Sequence, residues 1–464
     1  MNRVVIIGGG PGGYEAALVA RQLGAEVTVI DADGIGGSAV LTDCVPSKAL
    51  IATANVITDA ASSADLGILV NGRTPDTSHF GVDLGAVNDR ILGLVRHQSD
   101  DIRARLLKDG VSLVPGHGRL DDDGNVIVRR RDGQEEAFEA DAVLLATGAR
   151  PRELPEARPD GERILTWEQV YDLTEVPERL IVVGSGVTGA EFAGAYHALG
   201  SRVVLISSRE HVLPGEDPDA ARVLEDVYAR RGVEVLGSSR AVSARCTDDG
   251  VEVTLTSGKV VTGSHVLMAV GSLPNTDDLG LEDAGVETDD GGFIRVDRVS
   301  RTSRRGVYAA GDCTGVLMLA SVAAMQGRIA MWHALGDAVT PLELMTVSST
   351  VFTNPEIATV GLTQRDLDEG RFRGDSVLVP LATNARAKMA EQRDGFVKLL
   401  CRRGSRIVAG AVVVSPHASE LIHPLTIAVE QRLTVDELAS TFTVYPSLSG
   451  SIAEAARRLH IASE

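Results

Sequence analysis

The stretch Arg3-Val-Val-Ile-Ile-Gly8-Gly-Gly10-Pro-Gly-Gly13 sets the reading of the whole chain. A short β-branched run enters a cluster of glycines and leaves into an alanine-rich segment reaching Leu23-Gly24, the pattern of strand, tight turn and helix. A second apolar run, Glu26-Val-Thr-Val-Ile30, ends at Asp31. In a unit of this kind the first glycine permits the turn, the second lets the backbone approach a pyrophosphate, and the third lets helix pack on strand. The helix amino terminus then faces the phosphates, and Asp31 stands where a carboxylate meets an adenosine ribose.

The same organisation returns 176 residues later as Arg179-Leu-Ile-Val-Val-Gly184-Ser-Gly186-Val-Thr-Gly189. That offset carries Gly8, Gly10 and Gly13 onto Gly184, Gly186 and Gly189, Glu15 onto Glu191, Leu23-Gly24 onto Leu199-Gly200, and Asp31 onto Ser207. Two unrelated glycine loops would not keep register through a helix and a second strand, so the sequence predicts two dinucleotide sites. Val143-Leu-Leu-Ala146-Thr147-Gly148 and Val266-Leu-Met-Ala-Val270-Gly271 read as further buried strands ending in glycine. Gly306-Val-Tyr-Ala-Ala310-Gly311-Asp312 reads as one that ends at a carboxylate.

Composition narrows the partners. At 464 residues the chain predicts two or three domains, each able to bury a core. Lys plus Arg total 45 against 64 Asp plus Glu, and the resulting charge of -19 repels a phosphate backbone or an anionic membrane surface. An aromatic share of 3% leaves few platforms for stacking bases, so nucleic acid is not an expected partner. No apolar run suggests an integral membrane segment or a secretory signal, which makes the cytoplasm the expected compartment. Cys44, Cys246, Cys313 and Cys401 are too scattered for a disulfide scaffold or a metal cluster, so no metal is expected.

The order of first glycine loop, Ala146-Thr147-Gly148, second glycine loop, Val270-Gly271 and Gly311-Asp312 resembles the pyridine nucleotide-disulfide oxidoreductases, the dihydrolipoamide dehydrogenase and glutathione reductase group. The resemblance extends to Gly36-Gly37 with Cys44-Val45-Pro46-Ser47-Lys48, and to Val351-Phe-Thr-Asn-Pro355-Glu-Ile-Ala-Thr-Val-Gly361, similar to the start of that family's dimerisation domain. It implies an α/β fold with two Rossmann-like dinucleotide-binding domains plus an α+β C-terminal dimerisation domain. The limits expected are 1–150 and 271–340 for FAD, 151–270 for NAD(P), and 341–464 for dimerisation, in a homodimer. FAD would lie along the first unit, with Asp31 on its adenosine ribose and Asp312 on its ribityl chain or phosphate end. NAD(P)H would occupy the second. Lys48 would approach flavin N5 and pair with Glu191, since a cation near N5 favours reduced, anionic flavin and a carboxylate keeps a buried cation charged.

The pattern then breaks in three places. The family's stretch Gly-Gly-Thr-Cys-x-x-x-x-Cys-x-Pro-Ser-Lys reads here Gly36-Gly37-Ser38-Ala39-Val-Leu-Thr-Asp43-Cys44-Val-Pro46-Ser47-Lys48. Ala39 stands where the outer cysteine attacks substrate, and only Cys44 survives. The family's His-Pro-Thr-Leu-Ser-Glu segment is Tyr445-Pro446-Ser447-Leu448-Ser449-Gly450 here. A tyrosine phenol is a poor proton shuttle at neutral pH, and Gly450 offers no orienting carboxylate. Thiol chemistry is lost while the cofactor motifs stay.

At the second unit's ribose position, Ser207 replaces the carboxylate of NAD-specific sites. Ser207, Ser208 and Arg209 favour the 2′-phosphate of NADPH, although Glu210 beside the arginine leaves NADH open. Val187 stands where the family often has a tyrosine gate over the nicotinamide. An acceptor that needs no disulfide relay suits this frame, and a quinone meets that requirement. The expected activity is NAD(P)H:quinone oxidoreduction. A pyridine nucleotide transhydrogenase, a peroxidase or oxidase cycling Cys44 through a sulfenic acid, and a non-catalytic flavoprotein subunit or redox-sensing module stand as alternatives.

Overall fold

The computed structural model describes residues 2–461 and divides into two compact units. The first takes in Met1–Ala49, Asp89–Arg152 and Gly271–Glu343; the second takes in Leu50–Asn88, Glu153–Val270 and Leu344–Glu464.

At the centre of the first unit lies a five-stranded parallel sheet. Its order across the sheet is Val307–Ala309, Ala142–Leu145, Arg3–Ile7, Glu26–Asp31, Ser112–Pro115. The inner strands Arg3–Ile7 and Ala142–Leu145 are almost wholly buried, which explains why they read as continuous Val, Ile and Leu rather than alternating. Strand order reverses at Arg3–Ile7, whose neighbours in chain order lie on opposite sides. Ligands of doubly wound sheets bind at the carboxyl ends of strands flanking such a point.

The second unit repeats this arrangement with Glu234–Leu236, Arg202–Ile206, Arg179–Val183, His265–Met268 and Ile164–Thr166, again all parallel. The repeat reaches the level of hydrogen-bond register. Arg3 pairs with Glu26 and Ile7 with Ile30, while Arg179 pairs with Arg202 and Val183 with Ile206. The helices that follow, Pro11–Gln22 and Val187–Ala198, are both 12 residues long and start at corresponding positions.

The second unit also carries an antiparallel five-stranded sheet, Ser348–Val351, Glu356–Gly361, Val408–Ser415, Phe396–Arg402 and Gly374–Pro380 in that order. Helices Ala418–Glu430 and Gly450–Ile461 share a core with it through Ala358, Leu399, Val413, Leu425 and Leu459. The fold is therefore mixed α/β with two Rossmann-type sheets and an α+β carboxy-terminal part.

Among the described residues, Gly37–Leu66 contains an 18-residue window with a mean hydropathy of 1.2, enough by length and composition to cross a membrane. A single helix of this kind is weak evidence, since core helices meet the same criterion.

Candidate active site

The first glycine loop is fixed by sterics at Gly8 and Gly13 and left open at Gly10. A Cβ on Gly8, where φ is 108°, would stand 2.2 Å from the Ala146 carbonyl oxygen, and one on Gly13 would stand 1.9 Å from the Gly8 carbonyl oxygen. Any larger residue at either point would force strand, loop and helix apart. At Gly10 the nearest protein atom to such a Cβ is the Gly37 Cα at 3.7 Å. Gly10 also caps helix Pro11–Gln22 without a side-chain hydrogen bond, so the first-turn N–H groups receive no side-chain oxygen from the capping position. An uncapped helix end beside a glycine whose surroundings are open fits a pyrophosphate.

Asp31 closes the next strand. Its carboxylate accepts Gly9 N at 2.6 Å, Asp33 N at 2.9 Å and Gly34 N at 2.6 Å. Burial raises its proton affinity above the ordinary aspartate value, against the three backbone donors. The Ala146-Thr147-Gly148 turn is tied to Asn275: Thr147 Oγ1 donates to the Asn275 carbonyl at 2.7 Å, and Asn275 Nδ2 donates to the Thr147 carbonyl at 3.0 Å. Gly148 adopts a φ of 70°. Gly271, with φ 96°, falls in this first unit, where its carbonyl accepts Arg152 N.

The Asp312 turn is held by a buried glutamine that the sequence reading did not single out. Gln326 Oε1 accepts Gly311 N at 2.8 Å, its Nε2 donates to Thr314 Oγ1 at 3.4 Å, and Thr314 Oγ1 donates to the Gly311 carbonyl at 2.7 Å. Burial and the nearby charge of Asp43 push the Asp312 carboxyl up to about 6. Cys313 is buried, and its thiol is pushed up to about 11, which keeps it neutral.

Cys44 opens helix Cys44–Ser62, and Lys48 lies one turn further on. All four cysteines are free, and Ala39 sits in the short helix Gly37–Leu41. No group of three or more potential metal ligands occurs among the described residues.

The second loop copies the first. A Cβ on Gly184, φ 108°, would stand 2.0 Å from the Ala269 carbonyl oxygen, and one on Gly189 would stand 1.8 Å from the Gly184 carbonyl oxygen. Nothing lies within 4 Å at Gly186, which caps helix Val187–Ala198 without a side-chain hydrogen bond. Val187, the first residue of that helix, is exposed. These features fit a second dinucleotide.

At the ribose position the three residues part company. Ser207 is 0% exposed, and its hydroxyl meets Ser185 Oγ at 2.7 Å, donates toward the Arg209 carbonyl at 2.9 Å and accepts Arg209 N at 3.2 Å. It shapes the loop from within, while Ser208 and Arg209 are exposed. Glu191 is 3% exposed and accepts Phe352 N at 2.8 Å, a contact inside the second unit; Lys48 belongs to the first. Tyr445 is 85% exposed, and Gly450 starts the last helix.

Comparison with known proteins follows the same outline. The model of the pyridine nucleotide-disulphide oxidoreductases matches residues 2–327, and that of their dimerisation domain matches residues 347–456. An NAD(P)H dehydrogenase (quinone) of Mycobacterium tuberculosis is 55% identical over 99% of this chain and 94% of its own. A dihydrolipoyl dehydrogenase of Haloarcula marismortui is 34% identical over 98% and 96%. The crystal structure of LpdA from Mycobacterium tuberculosis superposes with a TM-score of 0.94 at 54% identity, covering 99% of this chain and 100% of that one. An HOCl-induced flavoprotein disulfide reductase of Escherichia coli shares the fold, with a TM-score of 0.85 at 22% identity, covering 98% and 99%. With its duplicated loops, the Asp312 turn and the antiparallel terminal sheet all matched, the chain belongs to the pyridine nucleotide-disulphide oxidoreductase family of flavoproteins, which implies FAD and NAD(P)H as its cofactors.

Proposed function

We propose that this protein is an NAD(P)H:quinone oxidoreductase that works without a disulfide relay. The observation that carries the reading is Ala39 at the position of the outer, substrate-attacking cysteine, with Tyr445 and Gly450 in place of the acid/base and its orienter. A relative 55% identical along nearly the whole chain bears the name of a quinone-reducing dehydrogenase, which supports the same acceptor.

FAD, when bound, would supply the two-electron chemistry between the nicotinamide and the acceptor. The chain's part is to bind and orient. Gly8, Gly10 and Gly13 admit one pyrophosphate and Gly184, Gly186 and Gly189 the other, each at the end of a helix. Asp31 and Asp312 are assigned to the sugar hydroxyls and ribityl chain of FAD, with Ala146-Thr147-Gly148 and Gly271 lining the backbone around the cofactors. Lys48 supplies the cation that favours reduced flavin, and Glu191 is a buried carboxylate kept in place by Phe352 N. Cys44 is left as a lone thiol.

NADPH is the favoured donor. Ser208 and Arg209 are the exposed groups at the ribose position and can meet a 2′-phosphate, whereas Ser207 is spent on the loop. Arg209→Ala should raise KM for NADPH roughly 10- to 100-fold, the worth of a charge-assisted hydrogen bond, and leave NADH little changed. Equal losses with both nucleotides would remove the assignment.

The decisive experiment reduces the yellow protein anaerobically with NADPH or NADH and then adds a quinone, lipoamide, glutathione disulfide or peroxide separately. Fast reoxidation by quinone is expected. Fast reoxidation by a disulfide and none by quinone would overturn the reading.

A further inference from the structure

Glu191 is buried in the second unit, and its Oε1 accepts Phe352 N at 2.8 Å. A backbone N–H points wherever its segment holds it, and a hydrogen bond weakens steeply once donor and acceptor lose alignment. Whatever fixes the segment Phe352-Thr353-Asn354 therefore governs how firmly this donor meets the carboxylate. Arg231, at the end of helix Pro218–Arg231, donates from Nη1 to the Asn354 carbonyl at 3.1 Å and from Nη2 to Asn354 Oδ1 at 2.9 Å. Asn354 Nδ2 donates to Asn55 Oδ1 at 3.1 Å, and Thr353 Oγ1 donates to the Pro355 carbonyl at 2.7 Å. One guanidinium fork thus fixes both the backbone and the side chain of Asn354, a task beyond the point charge of a lysine.

The same helix end grips the other flank of Glu191. Tyr228, one turn before Arg231 and so on the same helix face, is 1% exposed and donates its hydroxyl to the Ala190 carbonyl. A Cβ on Gly194 would stand 3.0 Å from that hydroxyl, so the two helices meet closely here. Asn55, Glu191, Tyr228, Arg231, Phe352 and Asn354 line a single pocket inside the second unit. The last turn of helix Pro218–Arg231 therefore bears on the residue before the carboxylate and on the segment that donates to it. Arg231 is itself exposed, so its removal leaves neither a core cavity nor a buried unpaired charge. A role limited to holding the fold together is a poor account of a fork aimed at this one segment.

We propose that Arg231, acting through Asn354, is a positioning residue for Glu191 and thereby for flavin reduction. The proposal rests on the reading of Glu191 as the carboxylate that keeps the Lys48 cation charged at the flavin. Arg231 acts on Glu191 only by holding Phe352 N in line with it. A hydrogen bond to an ionised acceptor is among the stronger ones a side chain can accept, so loosening its donor changes the carboxylate's place and not only its mobility. Nucleotide binding, which belongs to the glycine loop and to Ser208 and Arg209, is left to other residues.

The test compares wild-type, Arg231→Met, Arg231→Lys and Glu191→Gln holoenzymes by amide hydrogen exchange, flavin midpoint potential and single-turnover reduction with NADPH. Arg231→Met should speed exchange at the Phe352 amide about tenfold and slow the limiting rate of flavin reduction by about 3- to 10-fold, with half-saturation by NADPH unchanged. The potential should fall by up to roughly 30 mV, the two-electron equivalent of tenfold. Arg231→Lys, keeping one hydrogen bond of two, should lie between Arg231→Met and the wild type. Wild-type exchange at Phe352 in Arg231→Met would overturn the role of Arg231. Faster exchange beside a wild-type potential and rate, with Glu191→Gln shifting both, would overturn it equally and leave Glu191 in place. If Glu191→Gln itself keeps the wild-type potential and rate, the underlying reading of Glu191 falls and the proposal with it. Should Arg231→Met not accumulate as a yellow protein, Arg231→Lys decides: faster exchange with a lowered potential supports the proposal, and wild-type values of either reject it.

Discussion

The third glycine of each loop is a steric necessity and the second is not, a difference that separates folding from binding one residue at a time. At Gly189 a methyl group would stand 1.8 Å from a backbone oxygen that cannot move without breaking the strand end; at Gly186 it would meet no protein atom within 4 Å. Gly189→Ala should therefore lower stability by at least about 1–3 kcal/mol, seen as a reduced Tm in calorimetry. Gly186→Ala should leave Tm within experimental scatter and, on the proposed site, raise KM for the nicotinamide nucleotide several-fold, because the added methyl would enter the space assigned to the pyrophosphate. A Gly186→Ala protein with a lowered Tm and an unchanged KM would contradict this division. The glycine positions were legible because their requirement is local. The fate of Ser207 was not, since its hydroxyl is spent on Ser185 and on a loop that folds back over it. Neither was the Glu191 contact with Phe352 N, whose partner lies 161 residues away.

At the scale of elements, helix Pro218–Arg231 and strand Phe396–Arg402 are joined by an ion triad in which Lys398 and Asp217 are buried and Asp219 is 35% exposed. Lys398 Nζ, on a side chain 3% exposed, donates to both Asp217 carboxylate oxygens at 2.8 and 2.7 Å and to Asp219 Oδ2 at 2.6 Å. Asp217 also caps the helix, accepting Asp219 N and Ala220 N. Exposed pairs such as Arg202 with Glu178 contribute about 0–1 kcal/mol, so they do not compete with this one. Lys398→Met should cost about 3–5 kcal/mol in urea unfolding, because Asp217 is left buried and uncompensated. Adding Asp217→Asn should recover part of the loss while keeping a capping oxygen. The pH sign follows from Asp219, where burial opposes ionisation but Lys398 and Arg222 outweigh it and hold the carboxyl below its ordinary value. Its contribution is present above about pH 4, the unfolded value, and is lost as pH falls further; in Lys398→Met that acid loss should flatten. A Lys398→Met protein as stable as the wild type would show that the triad contributes nothing. No sequence pattern announces such a triad, since its members are 181 and 179 residues apart.

Across the whole molecule, duplication made the two Rossmann-type units readable from the sequence, and the structure adds that the copies share strand register, Arg3 with Glu26 and Arg179 with Arg202. The third sheet was expected only through the resemblance, because an antiparallel sheet with Val-rich strands carries no glycine signature. Its carboxy-terminal approach leaves Phe442 102% exposed, Val444 76% and Tyr445 85%. Covering a side chain of this size is worth about 1.5–3 kcal/mol, and three neighbours left in water are a poor end state for a chain whose terminal part matches a dimerisation domain. A second copy covering this segment must bring another charge of -19 against the first, so the association should tighten as salt screens the repulsion. Sedimentation at low micromolar concentration should show a dimer that strengthens between about 0.05 and 0.5 M salt. Phe442→Asp combined with Val444→Asp should shift it to monomer, since each substitution places a desolvated carboxylate in the contact, while the flavin spectrum stays that of the wild type. A doubly substituted protein that sediments as a dimer at every salt concentration would place the contact elsewhere on the terminal sheet.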